Sequence, residues 1–308
     1  MRLLFAGTPE VAVPALARLL EGGHEVVAVL TQPARPKGRS GRPLPSPVAA
    51  FAAEHGIPVL APERVAEIGA ELQALDLDLA AVVAYGQLLP ASLLTVPKLG
   101  WVNLHFSLLP LWRGAAPAQR ALIAGDEFTG ATVFQLEPGM DTGPVFGSLT
   151  VEIGPRETAG ELLSRLAESG AELLAQSVEG IASGELVAVA QDDRLATYAP
   201  KLTAADAEID WALPALAVDR LIRGCSPQPG AWTLAAGQRL GLDRLEIALD
   251  EVALEPGSVS ARKHEVLVGT GSHPVRLGLV KPAGGKWMEA AAWARGWREP
   301  IARLGDAV

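Results

Sequence analysis

The chain predicts an α/β protein, with a Rossmann-like, mostly parallel sheet covered by helices on both faces and a small C-terminal β-barrel of OB-like type. Three observations lead there. Apolar, β-branched runs of strand length alternate with segments of helical spacing through the first part of the chain, the pattern of a parallel sheet. From about residue 207 the pattern changes to short strands separated by Gly and Pro turns. The 308 residues also exceed what one core commonly supports, since single cores stop growing near roughly 250 residues. The expected division is a first domain over 1–190, a linker over 191–206 and a second domain over 207–308.

RLLFAG, residues 2–7, is the first strand. TPEVAVPALARLLEGG follows with Thr8 as cap candidate, a proline near the first turn and a Gly-Gly stop. HEVVAVLTQP and DLDLAAVVAYG read as two further buried strands, with the helical PSPVAAFAAEHG between them. WVNLHFS is the next strand and APAQRALIAGD the next helix; GATVFQLEPG and GPVFGSLTVEI close the sheet. RETAGELLSRLAESGAELLAQSVEGIASGEL is a long amphipathic helix. QDDRLATYAPKLTAADAEIDW is polar and without a period, which reads as a linker; AWTLAAGQRLGLDRLEIALD and the segments after it are barrel strands.

With 49% hydrophobic and 20% charged residues, the chain can bury a sizeable core. No apolar window is long enough to span a membrane and the N-terminus lacks the apolar core of a signal peptide, so a cytoplasmic protein without a membrane partner is expected. Cys225 is the one cysteine; it excludes an internal disulfide and reads as a packing residue. The net charge of -9 argues against general nucleic-acid binding. Residues 1–200 hold 13 basic and 22 acidic side chains and residues 201–308 hold 13 of each, so the excess (22 less 13) lies wholly in the first part. Even so, no acidic residue occurs between Glu25 and Glu54, where Arg35, Lys37, Arg39 and Arg42 cluster. Such a loop is by composition more often a solvated turn than a phosphate contact.

The turn AGTPEVA lacks the second and third glycines of a dinucleotide site. Chemistry is indicated instead by Asn103 and His105, two positions apart and so on one face of a strand, at the carboxyl end where open α/β sheets bind ligands. A lone histidine is usually a packing residue; paired with an asparagine at a strand end it points to function. His24, His55, His264 and His273 lack such company and read as surface or cap residues. Asp141 is held in EPGMDTGP between Pro138, Gly139, Gly143 and Pro144, so its side chain is a candidate partner as well as an ordinary turn residue. A hydrolase built on Ser107 lacks a nucleophile elbow, and no His or Cys pair has zinc-ligand spacing, so no metal is expected. An amide donor, an imidazole and a carboxylate suit acyl-type transfer to a nucleophile.

NLHFSLLPLWRGAAPAQRAL with TGATVFQLEPGMDTGPV resembles the signature of the 10-formyltetrahydrofolate-dependent formyltransferases, Asn-x-His followed by SLLP-x-x-RG-x-x-P and a later D-x-G loop. AGTPEVAVPAL and AYGQLLP are similar to the same family's first turn and folate-side loop. TQPARPKGRSGRPLPSPV, RLATYAPKLTAADAEIDW and KPAGGKWM resemble the basic loop, the junction and a barrel segment of the branch whose acceptor is initiator methionyl-tRNA. The resemblance covers essentially the whole chain.

It implies that Asn103 hydrogen-bonds the formyl oxygen as it becomes anionic, that His105 assists deprotonation of the attacking amine or donates to that oxygen, and that Asp141 orients and charge-balances His105. Ser107, Leu108, Leu109 and Pro110, with Gln87, Leu88, Leu89 and Pro90, would line the folate pocket. Arg35, Lys37, Arg39 and Arg42 would contact tRNA, Arg39 foremost, with Lys201, Lys281 and Lys286 assisting, though lysines of this kind are commonly just solvated. Trp211 and the other C-terminal tryptophans are expected in the barrel core more than in base stacking. A monomer is expected. The rival readings are a formyltransferase with a small amine acceptor, a formyltetrahydrofolate hydrolase and a non-catalytic RNA-binding protein.

Overall fold

The computed structural model describes residues 1–36, 41, 43–297 and 299–305. They form two compact units, one of residues 1–117, 128–152 and 163–199, the other of 118–127, 153–162 and the described residues from 200 on.

The first unit is built on seven strands: β1 (Arg2–Gly7), β2 (Glu25–Leu30), β3 (Val59–Leu60), β4 (Leu79–Val83), β5 (Trp101–His105), β6 (Phe128–Gln135) and β7 (Val145–Glu152). Their order is β7-β6-β5-β4-β1-β2-β3. The five strands β1 to β5 pair in parallel, and β6 and β7 add antiparallel at one edge. β1 and β4 are buried along nearly their whole length, which is why they read as continuous apolar runs rather than as alternations. Around them Leu4, Leu30, Leu72, Leu77, Tyr85 and Trp101 make one core, with the Trp101 indole N–H donating to the Leu93 carbonyl at 2.8 Å. Helix Ala159–Ser183 carries Gly170 where a side chain would press on Leu104 of β5; that glycine lets helix and strand pack closely.

Thr8 does not cap the first helix as the sequence suggests. The segment opens as a 3-10 turn, Glu10–Ala12, before helix Val13–Glu21, and neither start has a side-chain cap. The Thr8 hydroxyl instead donates to the Tyr85 carbonyl at 2.8 Å, tying the turn after β1 to the turn after β4. Ser46 does cap its helix, Pro47–Glu54, accepting from the Ala49 N–H at 3.0 Å. The expected linker is ordered in its first half: Asp193–Leu195 is a 3-10 turn and Tyr198–Ala199 pairs in parallel with Arg113–Gly114.

The second unit contains a curled antiparallel half-barrel, in the order Trp232–Ala235, Gln238–Ile247, Val275–Pro282, Val266–Val268, Val259–Ala261, with Met288–Glu289 on Val275–Pro282. Helix Ala215–Gly224 precedes it, an element the sequence reading passed over. Its buried Ala215, Val218 and Ile222 fall at helical spacing, a signal hidden by the interspersed Asp and Arg. Trp211 is a core residue whose indole N–H donates to the Thr233 hydroxyl at 3.0 Å. Cys225 is fully buried, and burial pushes its thiol up to about 11. Among the described residues no helix is long and apolar enough to cross a membrane.

Candidate active site

Side-chain alternation along β5 sends Val102 and Leu104 to one face and Asn103 and His105 to the other. Across the sheet Asn103 is paired with Phe134 and His105 with Thr132 of β6. The Phe134 ring meets the imidazole edge-on, centroids 6.3 Å apart. Asn103 keeps partial access to solvent while His105 is buried.

Three contacts define the state of His105. Its Nε2 lies 2.9 Å from the Trp112 carbonyl oxygen, which can only accept, so Nε2 carries the hydrogen in the neutral ring. Nδ1 then faces Asp141 Oδ2 at 3.7 Å. That separation is too long for a direct hydrogen bond but short enough for the carboxylate to favour a proton on Nδ1. Burial pushes the imidazole below the ordinary histidine range, opposed by the Asp141 carboxylate and by the Trp112 carbonyl. The resting ring is therefore neutral, with a basic lone pair on Nδ1.

Asp141 sits at a positive φ of 53° in a loop of close backbone approaches. A side chain on Gly143 would collide with the Gln135 carbonyl, which explains the glycine. The Asp141 carboxylate is aimed by the Gly114 N–H, which donates to Oδ2 at 2.7 Å. The Gln191 amide donates to the carbonyls of Asp141 at 2.8 Å and of Gly143 at 2.7 Å. Gln191 in turn accepts from the buried Arg113 guanidinium, through Nη2 at 2.8 Å and Nε at 3.2 Å. Arg113 completes its bonding with Asp193 at 2.7 Å.

At the carboxyl ends of β4 and β5 a cleft of about 380 Å³ opens, lined by Val82, Ala84 to Leu89, Leu94, Asn103 and Leu136 to Asp141. Its walls are mostly apolar, with Gln87, Asn103, Glu137 and Asp141 as the polar members, and the side-chain oxygen of Asn103 is buried there without a hydrogen-bond partner. A half-turn of the amide exchanges its oxygen and its N–H groups, so this end can accept from or donate to a bound molecule. Leu88 and Met140 are 91% and 61% exposed, leaving large apolar groups at the mouth for a ligand to cover. A small, largely apolar molecule with a polar group near Asn103 suits this combination of lining and one unpartnered oxygen.

The structure thus brings together Asn103, His105 and Asp141, and puts Gln87, Leu88 and Leu89 on the cleft wall. Gln87 contributes little polar capacity, because its amide accepts from the Val65 N–H at 2.8 Å and donates to the Pro62 carbonyl at 3.2 Å. Pro90 and residues 107–110 are not among the lining residues. The Ser107 hydroxyl donates to the Leu111 carbonyl at 2.6 Å, and the Ser107 carbonyl and the Leu109 N–H both bond the Thr132 hydroxyl, so this turn shapes the chain that carries the Trp112 carbonyl. Arg35 is exposed, 3.5 Å from Glu63; Lys37, Arg39 and Arg42 lie outside the described residues. In the second unit Lys201 and Lys286 are exposed, and Lys281 stands 5.9 Å over the Trp287 ring beside a groove that also holds Trp232 under Arg239. Sequence reasoning missed Trp112, Gly114, Arg113 and Gln191; the WRG triplet after SLLP was the available signal for the first three, and nothing local marked Gln191.

Residues 1–178 match the formyl transferase family model and residues 201–298 the model of the formyl transferase C-terminal domain. The chain is 55% identical over 308 residues to a protein of Thermobifida fusca named methionyl-tRNA formyltransferase, covering 99% of this chain and 98% of the relative. A protein of the same name from Arthrobacter sp. is 56% identical over 297 residues, covering 96% and 97%. Among solved structures, HypX from Aquifex aeolicus in complex with tetrahydrofolic acid is similar in fold, with a TM-score of 0.66 at 17% identity, over 96% of this chain and 47% of that one.

Proposed function

The chain belongs to the formyl transferase family, and from that premise we propose that it moves the formyl group of 10-formyltetrahydrofolate to the α-amino group of methionine on initiator methionyl-tRNA, giving N-formylmethionyl-tRNA for translation initiation. The observation that carries the chemistry is the Asn103, His105 and Asp141 arrangement beside an apolar cleft at the sheet's carboxyl edge. Near full-length likeness to relatives named for that acceptor supports the tRNA substrate.

The folate supplies a formyl group already activated on nitrogen. The cleft walls from Val82, Gln87, Leu88, Leu89, Leu94 and Leu136 suit its ring. The Asn103 amide is available to donate to a carbonyl oxygen as that oxygen gains charge. His105 accepts at Nδ1 the proton that the attacking amine gives up as its bond to the formyl carbon forms, and Asp141 balances the imidazolium. The same proton passes to the folate nitrogen as its bond to the formyl carbon breaks, releasing tetrahydrofolate and the neutral ring. Trp112, through its carbonyl, holds the ring in the tautomer that leaves Nδ1 free.

Residues 1–190 act as the catalytic part together with 191–199, the ordered first half of the expected 191–206 linker, and 207–308 assist tRNA binding. Arg35, Lys37, Arg39 and Arg42 contact tRNA phosphates, with Lys201, Lys281 and Lys286 as weaker contributors. The protein works in the cytoplasm as a monomer. The test is a panel of acceptors with formylated folate: charged initiator tRNA, a free amine sugar, or buffer alone. Formyl release in buffer at the rate seen with tRNA excludes the transferase reading, and transfer to the sugar alone reassigns the acceptor.

A further inference from the structure

We propose that Gln191, from the segment the sequence marks as a linker, is a positioning residue that sets the His105 to Asp141 geometry. Its amide nitrogen is shared between the carbonyls of Asp141 and Gly143, at 2.8 and 2.7 Å, so a single side chain closes the loop on which the carboxylate stands. Its amide oxygen is fixed from the other side by two donors of Arg113, a buried cation adjacent in sequence to both Trp112 and Gly114. Those neighbours are the residues that set the two reacting groups: Trp112 bonds His105 Nε2, and Gly114 bonds Asp141 Oδ2.

The chain after Gln191 repeats the linkage. The Thr197 hydroxyl accepts from the Trp112 N–H at 2.8 Å, and the Thr197 carbonyl accepts from the Arg113 N–H at 2.9 Å. The Ala199 carbonyl accepts from the N–H groups of Ala115 and Ala116. Residues 191–199 therefore clasp two loops that come from distant parts of the sequence, and Gln191 alone among the described residues bonds both the Asp141 loop and Arg113 through its side chain. Only a side chain with both a donor and an acceptor can do this, which is why the residue is a primary amide.

The inference rests on the formyl-transfer reading, and its test separates the two. Gln191→Met keeps length and packing, adds no charge and removes the donors; Gln191→Glu keeps the acceptor for Arg113 but not the donors. With charged initiator tRNA, both variants are expected to lose about 10²-fold in kcat while KM for folate and tRNA stays within about twofold, the pattern of misplaced reacting groups. Nitrogen NMR of the His105 ring gives a readout apart from turnover. His105 is faced by the Asp141 carboxylate, the Trp112 carbonyl and the apolar Phe134 edge, so a retreat of Asp141 in Gln191→Met displaces its titration to lower pH. An unchanged kcat, or a fall in kcat with an unmoved His105 titration, overturns the proposal. If the native enzyme fails to formylate tRNA, the functional reading is lost while the His105 titration still decides the role of Gln191. Should one variant fail to fold, the other is measured by the same two readouts.

Discussion

His105 Nδ1 and Asp141 Oδ2 stand 3.7 Å apart across the sheet's carboxyl edge, with the ring's other nitrogen bonded to the Trp112 carbonyl. The gap is too long for a direct hydrogen bond and keeps a counter-charge beside Nδ1, on a buried ring that lies behind the cleft-lining Asn103 and Asp141. The reactivity of the site follows from this spacing.

The pH dependence of kcat/KM has a defined sign. Burial holds His105 below its ordinary 6.5, and the neutral ring is the active base, so the ring's own contribution to the acid limb is expected below 6.5, apart from the limb that the substrate amine adds at higher pH. The same group contributes to stability in a matching direction. The unfolded chain takes up a proton on this histidine below 6.5 before the folded chain does, so the contribution is complete above 6.5 and declines as pH falls through the interval to the lower folded value. Nitrogen NMR titration of the His105 ring, with urea midpoints for the native chain and His105→Gln, checks both; a ring that titrates above 6.5 contradicts the buried-base account.

Asn103 presents to the cleft a side-chain oxygen without a hydrogen-bond partner. Asn103→Ala is expected to reduce kcat by about 10² to 10³-fold with a much smaller change in folate KM, the signature of a donor used mainly as charge develops. Steady-state kinetics decides it, and an equal rise in KM with kcat intact assigns Asn103 to ground-state binding instead.

Gly114 has φ 126° and lies against the Ala199 carbonyl, 2.7 Å from where a Cβ would stand. Gly114→Ala is expected to cost about 1–3 kcal/mol and to lower kcat, because the displaced N–H is the donor that aims Asp141. Gly184→Ala is the control, with φ 74° and open space around it: strain without collision, and kcat retained. Equal effects of the two substitutions on kcat contradict the assignment.

For Arg39, which lies outside the described residues, Arg39→Ala is expected to raise the tRNA KM, leave folate affinity unchanged and lower the slope of log affinity against log salt by roughly one unit. Unchanged turnover and salt slope remove the loop from the tRNA contact.

Much of the first unit was legible because each buried strand of a parallel sheet is an uninterrupted apolar run, and Asn103 and His105 were conspicuous as polar interruptions of one such run. Asp141 was legible through the glycines and prolines that fix its loop. The Thr8 contact was not, since it depends on the turn after β4 standing beside the turn after β1, a neighbourhood created by the strand order. Gln191 was hidden for the same reason: a polar residue in a polar stretch gives no local sign that its amide spans two loops, 48 and 50 residues away toward the D-x-G turn and 78 toward Arg113. Helix Ala215–Gly224 was lost among turn signals because only a narrow stripe of it is apolar.

The most direct measurement is single-turnover transfer of labelled formyl from 10-formyltetrahydrofolate to charged initiator tRNA at neutral pH, by the native chain and by His105→Ala. The account predicts formylmethionyl-tRNA from the native chain and a rate about 10² to 10⁴-fold lower in the variant with both substrates still bound. Native-rate transfer by His105→Ala, or no formylation by the native chain, would contradict it.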